Sequence, residues 1–254
     1  MGRIISITNQ KGGVGKTTTA INLSAALAEK RKHVLLIDLD SQGNATSGLG
    51  IDKNSVDNSI YELLINECQV EECICKTNIK RLDIIPSNIN LSGAEIELVD
   101  MDDKEYLLKK QTEKIRNDYD YIIIDCPPSL SMLTINALTA SDSIIVPIQC
   151  EYYALEGLTQ LIKTEELIKE RLNPELTIEG IVFTMFDART NLSSQVVETV
   201  KNNLNQHIYK TTIPRNVRLA ESPSYGMPVT EYDSKSSGAK AYRSLAKEVI
   251  KNRR

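Results

Sequence analysis

The stretch NQKGGVGKTT, residues 9–18, decides the fold class of this chain. It follows a short apolar run at residues 3–8 and opens a segment whose apolar residues recur at helical spacing. That is the strand, loop and helix setting of a phosphate-binding loop. Its three glycines allow a tight turn that brings backbone N–H groups toward phosphate oxygens, at the positive end of the following helix. The stretch therefore predicts a nucleotide-binding α/β domain.

The loop departs at one position from the pattern G-x-x-x-x-G-K-[ST]. Counted back from Lys16, the first glycine of the pattern falls where the chain has Gln10, and Lys11 follows it. In the rest of the pattern, Lys16 is expected to reach the β- and γ-phosphates and the Thr17 hydroxyl to bind Mg²⁺. Two interpretations remain open at this point: a defective phosphate loop, or a loop in which the second lysine has a task of its own.

Short β-rich runs alternate with longer segments of helical spacing along the chain. The predicted strands are residues 3–8, 33–38, 82–87, 119–126, 143–148, 178–186 and 209–214. The predicted helices are residues 17–29, 104–117, 154–172, 193–206 and 235–252, and residues 43–58 are expected to form a surface loop. This order indicates an α/β fold with a three-layer, doubly wound, mostly parallel sheet of about seven to eight strands and helices on both faces. The length of 254 residues favours a single domain over residues 1–254.

Three aspartates follow predicted strands at the edge where open α/β sheets bind their ligands. Asp125 comes after a run of apolar residues, and we expect it to hold Mg²⁺ through the water shell of the ion. Asp40 lies one step beyond its strand, where it could accept a hydrogen bond from an attacking water molecule. Asp38 is still inside the strand pattern, so we expect it to order the loop or to bind a magnesium-bound water.

Charge is distributed unevenly along the chain. Residues 1–180 contain 18 Lys and Arg against 28 Asp and Glu, a net charge of -10, whereas residues 181–254 contain 12 against 6, a net charge of +6. The last third therefore has the composition of a phosphate-binding face. A solvated helical surface is the alternative for the terminal lysines. The candidate cations are Arg189, Arg215, Arg218, Lys235, Lys240, Arg243, Lys247 and Lys251.

The cysteines and the chain's apolar runs exclude two other classes of site. Five cysteines form an odd number and lack the repeated C-x-x-C spacing of a zinc site, so reduced thiols in a cytoplasm are the expectation. The apolar run near the beginning is too short to span a bilayer. A cytoplasmic protein is therefore expected.

Several stretches resemble one family. The chain is similar to the ParA/MinD-type ATPases, whose phosphate loop carries the extra lysine, and in particular to chromosome-partitioning ParA proteins of the Soj type. The resemblance extends over residues 4–247. It rests on KGGVGKTT, DLDSQGNAT, DCPPSL, QCEYYALEGL, TMFDARTNL and IPRNVRLAESPSYG.

The resemblance implies a role for each site residue and answers the question of Lys11. It makes Lys11 a lysine that reaches across a dimer interface to the partner's nucleotide, and it places Gly12 where the two subunits approach. Asp40 corresponds to the water-activating aspartate. Catalysis is thereby assigned to Lys11, Lys16 and Asp40. Nucleotide binding is assigned to Lys11, Gly12, Gly13, Val14, Gly15, Lys16, Thr17 and Thr18 in the loop and, around the adenine, to Pro214 and Asn216.

The same resemblance implies the cofactors and the partners. ATP and Mg²⁺ are the expected cofactors, and the ATP-bound homodimer is expected to bind double-stranded DNA without sequence preference through Arg189 and Arg218. A ParB/Spo0J-like protein is expected to stimulate hydrolysis, which resets the switch during chromosome or plasmid partitioning. The expected location is the cytoplasm, in association with the nucleoid.

Three alternatives belong to other functional classes. A membrane-bound positioning ATPase would attach through its final helix, where Tyr242, Leu245, Val249 and Ile250 form an apolar stripe opposite basic residues. A metallocluster carrier related to nitrogenase iron protein would need paired cysteines at a dimer axis. A non-hydrolysing nucleotide-binding scaffold would keep the glycines and would not depend on Asp40.

Overall fold

A seven-stranded sheet forms the centre of the described chain. The computed structural model describes residues 1–151 and 154–252, without the side chains of residues 154 and 156. The strands lie in the order β3-β4-β2-β5-β1-β6-β7, and the neighbouring strands are parallel except for β3 with β4. Their bounds are β1 Arg3–Ile7, β2 Val34–Asp38, β3 Cys75–Lys76, β4 Leu82–Ile85, β5 Tyr121–Asp125, β6 Ser143–Gln149 and β7 Thr177–Thr184.

The helices of the described residues cover both faces of this sheet. Short 3₁₀ helices at Val70–Cys73, Leu98–Asp100 and Ser222–Tyr225 join some of them. The α-helices are α1 Lys16–Glu29, α2 Asn44–Gly48, α3 Ile60–Leu64, α4 Leu91–Glu97, α5 Leu107–Ile115, α6 Met132–Ala140, α7 Ala154–Arg171, α8 Asn191–Asn203, α9 Val217–Glu221, α10 Val229–Tyr232 and α11 Ser237–Lys251.

Alternate strand residues enter separate cores because successive side chains of a strand point to opposite faces. Ile5 on β1 joins the core that α1 and α11 close, with Leu27 and Leu245. Its neighbour Ile4 joins a core on the other face, with Leu107 at the start of α5. The result is the predicted three-layer α/β fold with a mostly parallel sheet.

The predicted strand at residues 209–214 is wrong. The segment runs beside β7, and Tyr209 and Ile213 donate backbone hydrogen bonds to it, but only isolated bridges form. Between them, the Glu248 carboxylate on α11 accepts hydrogen bonds from the backbone N–H groups of Lys210 and Thr211, both at 2.9 Å. Because a side chain binds these two amides, they are not available for a continuous ladder.

Some elements had no sequence signal. Helix α6 is buried around most of its circumference, so it lacks the apolar and polar alternation that marks an amphipathic helix. Part of the loop expected at residues 43–58 is instead helix α2, which begins after Gly43 in a left-handed conformation with φ of 60°. Strand β3 has two residues, which is too short for a periodic pattern.

Candidate nucleotide site

The loop between β1 and α1 has the backbone of a phosphate cradle. Gly13 and Gly15 have φ angles of 75° and 87°, in the left-handed region that favours glycine, and Gly15 caps α1. Thr184 at the end of β7 donates a hydrogen bond of 2.7 Å from its hydroxyl to the Val14 carbonyl oxygen. The loop is therefore held in place from β7, which lies two strands away from β1 in the sheet.

Asn9 fixes the other side of the loop. Its side-chain N–H donates to the Pro147 carbonyl oxygen at 2.8 Å, and its side-chain oxygen accepts from the Lys11 backbone N–H at 3.0 Å. The Gln10 amide donates to the Thr164 hydroxyl at 3.1 Å. The residue that replaces the usual glycine is thus tied to helix α7, and the loop has an ordered path at the position where the pattern is broken.

Lys16 lies inside the cradle. Its side chain is buried, and its ammonium donates to the Lys11 carbonyl oxygen at 3.1 Å. Burial lowers the pKa of Lys16, and the nearby carboxylate of Asp125 opposes this shift. A buried ammonium beside a carboxylate and close to backbone N–H groups is suited to bind phosphate oxygens.

Two buried carboxylates meet at the carboxyl ends of β2 and β5. Asp38 and Asp125 are partners in the register of these strands, and both are fully buried. Burial is the main reason that the pKa of Asp38 is raised to about 6, although hydrogen bonds from Thr46 oppose it. The pKa of Asp125 is raised well above its ordinary value, first by burial and then by the neighbouring charge of Asp38.

Asp125 has the environment of a cation ligand. Neither carboxylate oxygen makes a hydrogen bond of normal geometry with the described residues, and the Thr17 hydroxyl lies close enough to oppose the rise of the pKa in part. Buried carboxylate oxygens without partners are costly unless a cation neutralises them. Thr17 and Asp125, with Asp38 beside them, therefore fit Mg²⁺, which would neutralise phosphate charge at this point.

Asp38 organises the loop that follows β2. Its carboxylate accepts hydrogen bonds from the Thr46 N–H at 2.8 Å and the Thr46 hydroxyl at 2.7 Å. The Asp40 N–H donates to Asp38 at 3.3 Å, and the partly exposed Asp40 carboxylate accepts from Gln42 N–H at 3.0 Å. Asp40 is thus oriented by its own turn and remains accessible to water, whereas Asp38 has most of its capacity filled by the protein.

An apolar pocket of about 210 Å³ adjoins the loop. Pro214 and Asn216 line it together with Gly15, Thr18 and Tyr242. The Asn216 side chain also caps α9, where its oxygen accepts from Arg218 N–H at 2.8 Å. The size of the pocket, its mostly apolar lining and its contact with the phosphate loop suit a purine base.

Lys11 points away from the cradle. Its ammonium forms an ion pair with the carboxylate of Glu151, just beyond β6, and about 40% of the Lys11 side chain remains exposed. The neighbouring Gly12 is exposed, and a Cβ atom added there would meet no atom within 4 Å. These two residues form an open edge of the loop.

The two arginines assigned to DNA lie on neighbouring segments. Phe186 forms a bridge with Pro214, which brings the segment of Arg189 beside the segment that leads to Arg218. Arg189 donates two hydrogen bonds to the Asp187 carboxylate, at 2.9 and 2.7 Å. Arg218 donates to Glu221 at 2.8 Å.

Sequence reasoning assigned no role to Thr46, Glu151 or Thr184. Glu151 and Thr184 act on the phosphate loop from distant parts of the chain, and a single sequence contains no spacing rule for such contacts. Thr46 is only eight residues from Asp38, the residue to which it donates. A weak signal existed for Thr46, since the loop that follows a phosphate-site aspartate needs hydrogen-bond donors to satisfy a buried carboxylate.

None of the helices in residues 1–151 and 154–252 is long and apolar enough to cross a membrane. The apolar stripe of α11 is used inside the protein, where Tyr242, Leu245 and Val249 are buried in the core shared with α1. The Tyr242 and Thr19 hydroxyls lie 3.2 Å apart across this contact.

Replacing Asp125 by asparagine is expected to stabilise the protein without ligands at pH 8. The raised pKa means that the folded protein holds the Asp125 proton more tightly than the unfolded chain, so ionisation costs stability as the pH rises. The amide cannot ionise, and we expect a gain of about 1–3 kcal/mol in the free energy of unfolding, measured by urea denaturation.

The gain should shrink as the pH is lowered, because Asp125 then takes up its proton and no longer costs stability. Asp40→Asn is the matched control, because Asp40 is more exposed, and its effect should stay within about 0.5 kcal/mol. An Asp125→Asn variant that is less stable than the original protein at pH 8 would contradict this account.

Comparisons with known proteins agree with this site. A family model described as an AAA domain matches residues 2–178. The chain is 58% identical over 252 residues to the sporulation initiation inhibitor protein Soj of Bacillus subtilis, covering 99% of this chain and 100% of that one. It is 51% identical over 251 residues to the chromosome partitioning protein ParA of Myxococcus xanthus, covering 99% and 89%.

A solved structure has a similar fold. Cobyrinic acid a,c-diamide synthase from Mycobacterium smegmatis, with bound ADP and magnesium, superposes with a TM-score of 0.88 at 37% identity, covering 99% of this chain and 95% of that one. Its bound ligands agree with the cradle, the magnesium-binding set and the base pocket described above, so ATP and Mg²⁺ are the cofactors. The chain belongs to the ParA/Soj-type family of chromosome-partitioning P-loop ATPases, and it is a Mg²⁺-dependent enzyme that converts ATP and water to ADP and phosphate.

Proposed function

We propose that the protein is a molecular switch for chromosome or plasmid partitioning, built as a single ATPase domain over residues 1–254. With ATP it forms a homodimer in which two nucleotides lie between the subunits, and this dimer binds double-stranded DNA without sequence preference. Hydrolysis, stimulated by a ParB/Spo0J-like partner, returns it to the unbound state. The protein would then act in the cytoplasm, in association with the nucleoid.

The observation that carries the proposal is the open edge formed by Lys11 and Gly12. The φ angle of Gly12 is not left-handed, and no atom of the described chain lies within 4 Å of the position of a Cβ. Neither backbone strain nor packing within the chain requires glycine there. A second chain approaching the loop would require it, and it would bring each Lys11 within reach of the partner's nucleotide.

The proposed chemistry follows from the positions of the charges. Lys16, with Thr17 and Asp125 holding Mg²⁺, would bind the phosphates, and Asp40 would accept a hydrogen bond from the attacking water. Asp38 would act mainly through the order of its loop. Lys11 from the partner would supply positive charge as negative charge develops on the transferred phosphoryl group. Because this cation comes from the other subunit, a monomer would have an incomplete site.

DNA binding is proposed for the face that contains Arg189 and Arg218. Both side chains are exposed and paired with carboxylates. Arg189 pairs with Asp187, and Arg218 pairs with Glu221 and Asp233. Exposed ion pairs of this kind contribute about 0–1 kcal/mol, so a DNA phosphate can replace the carboxylate at little cost. Contacts to phosphate alone would make the affinity fall steeply with salt and leave it independent of sequence.

The dimer can be tested with a variant that binds ATP and does not hydrolyse it. Asp40→Ala is expected to elute from a size-exclusion column as a dimer with ATP and as a monomer without it. Adding Gly12→Val should keep the protein monomeric, because the valine meets nothing inside one chain and obstructs the approach of a second.

ATP binding is measured on the same samples, so that loss of the nucleotide is distinguished from loss of the dimer. If Asp40→Ala stays monomeric with bound ATP, or if the added valine leaves dimerisation unchanged, the proposed arrangement is wrong.

If this face binds DNA, replacing the arginines should lower the affinity for DNA, and replacing a carboxylate paired with one of them should raise it. Replacing Arg189 and Arg218 together by glutamate should abolish gel-shift binding of duplex DNA by the ATP state. Glu221→Gln removes the nearer of the two carboxylates that pair with Arg218, the other being Asp233. It should tighten binding by a factor of about 2–5, as expected for an exposed pair. Lys80→Glu, at an exposed position before β4, is the control and should change the affinity little. Unchanged binding by the double glutamate variant would exclude this face.

A further inference from the structure

Helix α4 and the residues beside it have two apolar faces. The inner face consists of Leu91, Ala94 and Leu98, which are fully buried in the core under β2 and β4. This face alone accounts for the attachment of the helix to the domain. A second apolar face on the same short helix therefore has no function in the fold of one chain.

The outer face of α4 is formed by Ile89, Ile96 and Val99, whose exposed fractions are 68%, 77% and 53%. Residues 89 and 96 are separated by two helical turns, and Ser92 N–H donates to the Ile89 carbonyl oxygen, so the turn at Ile89 continues the helical direction. The three side chains thus point to one side. A group of exposed aliphatic side chains at helical spacing is typical of a surface that another molecule covers.

Acidic residues are concentrated in the segment of chain that contains and follows the outer face of α4. Between residues 95 and 105 the chain has six carboxylates and one lysine. Glu97 accepts a hydrogen bond from the Tyr61 hydroxyl, and Asp103 pairs with Lys110. Within the described part of the chain, no hydrogen bond or ion pair engages the other four carboxylate side chains, which are those of Glu95, Asp100, Asp102 and Glu105.

The negative charge of these acidic residues, which form the rim of the outer face of α4, indicates which kind of molecule binds there. Nucleic acid and anionic lipid would meet like charge, and two copies of this same face brought together across a two-fold axis would oppose one acidic rim to another. A segment with aliphatic side chains between lysines or arginines complements both the apolar centre and the acidic border. The chemistry therefore favours a basic, amphipathic peptide segment.

The outer face of α4 is connected to the hydrolysis site by hydrogen bonds. Ser87, two residues before Ile89, donates its backbone N–H to the Thr46 hydroxyl at 2.9 Å, and that hydroxyl donates to Asp38 at 2.7 Å. Gly43, in the turn after Asp40, lies so near that a Cβ there would be 2.9 Å from the Ser87 carbonyl oxygen. A ligand that shifts residues 86–90 would therefore move the loop that carries Asp40.

We propose that the outer face of α4 docks a basic, amphipathic segment of the partner that stimulates hydrolysis, and that docking acts on Asp40 through Ser87 and Thr46. This inference rests on the proposed function, to which it adds the contact surface and the chemistry of the partner. The partner covers the exposed aliphatic side chains, its cations pair with the free carboxylates, and the loop after β2 is adjusted in the same event.

The test is the ATPase rate of the full chain with DNA, measured against increasing concentrations of a ParB-type protein from the same genome. Ile96→Ser combined with Val99→Ser is expected to raise the concentration for half-maximal stimulation by about ten-fold or more, as for the loss of central apolar contacts. The rate without the partner should stay within about two-fold, because neither side chain packs in the domain. Leu167→Ser is the control, since Leu167 is comparably exposed on α7.

A second pair of substitutions separates charge from apolar contact. Asp100→Asn with Asp102→Asn should weaken stimulation and make it less sensitive to salt, because two exposed charges of the rim are lost. If the variant with Ile96→Ser and Val99→Ser is stimulated at the same partner concentration as the original protein, the inference is wrong. The proposed switch would not be affected by that result. An original protein that dimerises and binds DNA yet is never stimulated would overturn both the inference and the partner in the proposed function.

Discussion

The burial of two neighbouring carboxylates at the carboxyl end of the sheet is the constraint on which the site depends. Asp38 and Asp125 are register partners with no exposed surface, and the charge of Asp38 adds to the burial that raises the pKa of Asp125. The fold tolerates Asp38 because Thr46 donates two hydrogen bonds to it, but among the described residues Asp125 has no equivalent donor. Cations relieve this repulsion, and the buried Lys16 and a bound Mg²⁺ would do so where phosphates bind. Nucleotide binding is thereby linked to the electrostatics of the core.

Unlike the buried Lys16, three exposed cationic side chains each form an ion pair with a carboxylate. Lys11 pairs with Glu151, Arg189 with Asp187, and Arg218 with Glu221. Each of these cations is proposed to act on another molecule, and each is held by a carboxylate in the isolated chain. Because exposed pairs are weak, the carboxylates keep the cations ordered without preventing exchange for phosphate. This common arrangement gives the proposed dimer and DNA contacts a similar electrostatic origin.

Much of the fold could be predicted from the sequence because most of its strands are apolar runs, two of which, β2 and β5, end in an aspartate. The strands at 33–38 and 119–126 were predicted within two residues, since burial on both faces leaves a continuous apolar signal. The strand at 209–214 failed because Glu248, 37 residues beyond Thr211, binds its amides. Helix α6 has no polar face and could not be distinguished from a core strand by its pattern.

In the site, too, the residues in local sequence patterns could be predicted, and those placed by the tertiary fold could not. Lys16, Thr17, Asp40 and Asp125 were found by their place in a strand, loop and helix pattern, and the structure brings them to one edge of the sheet. The positions of Glu151 and Thr184 depend on how β6 and β7 pack beside β1, which no local pattern encodes. The contact of Ser87 with Thr46 is likewise a product of the fold, and it is the contact through which α4 reaches the loop after β2.

The most direct test of the central claim, that Lys11 acts in the partner's site, mixes two inactive variants. Lys11→Ala and Asp40→Ala should each hydrolyse almost no ATP alone. In an equal mixture with DNA, half of the dimers are mixed, and each mixed dimer has one site with an intact Asp40 and a lysine from the other chain. The account predicts recovery of about one quarter of the original rate. No recovery in the mixture, with mixed dimers present, would contradict it and place Lys11 in the site of its own chain.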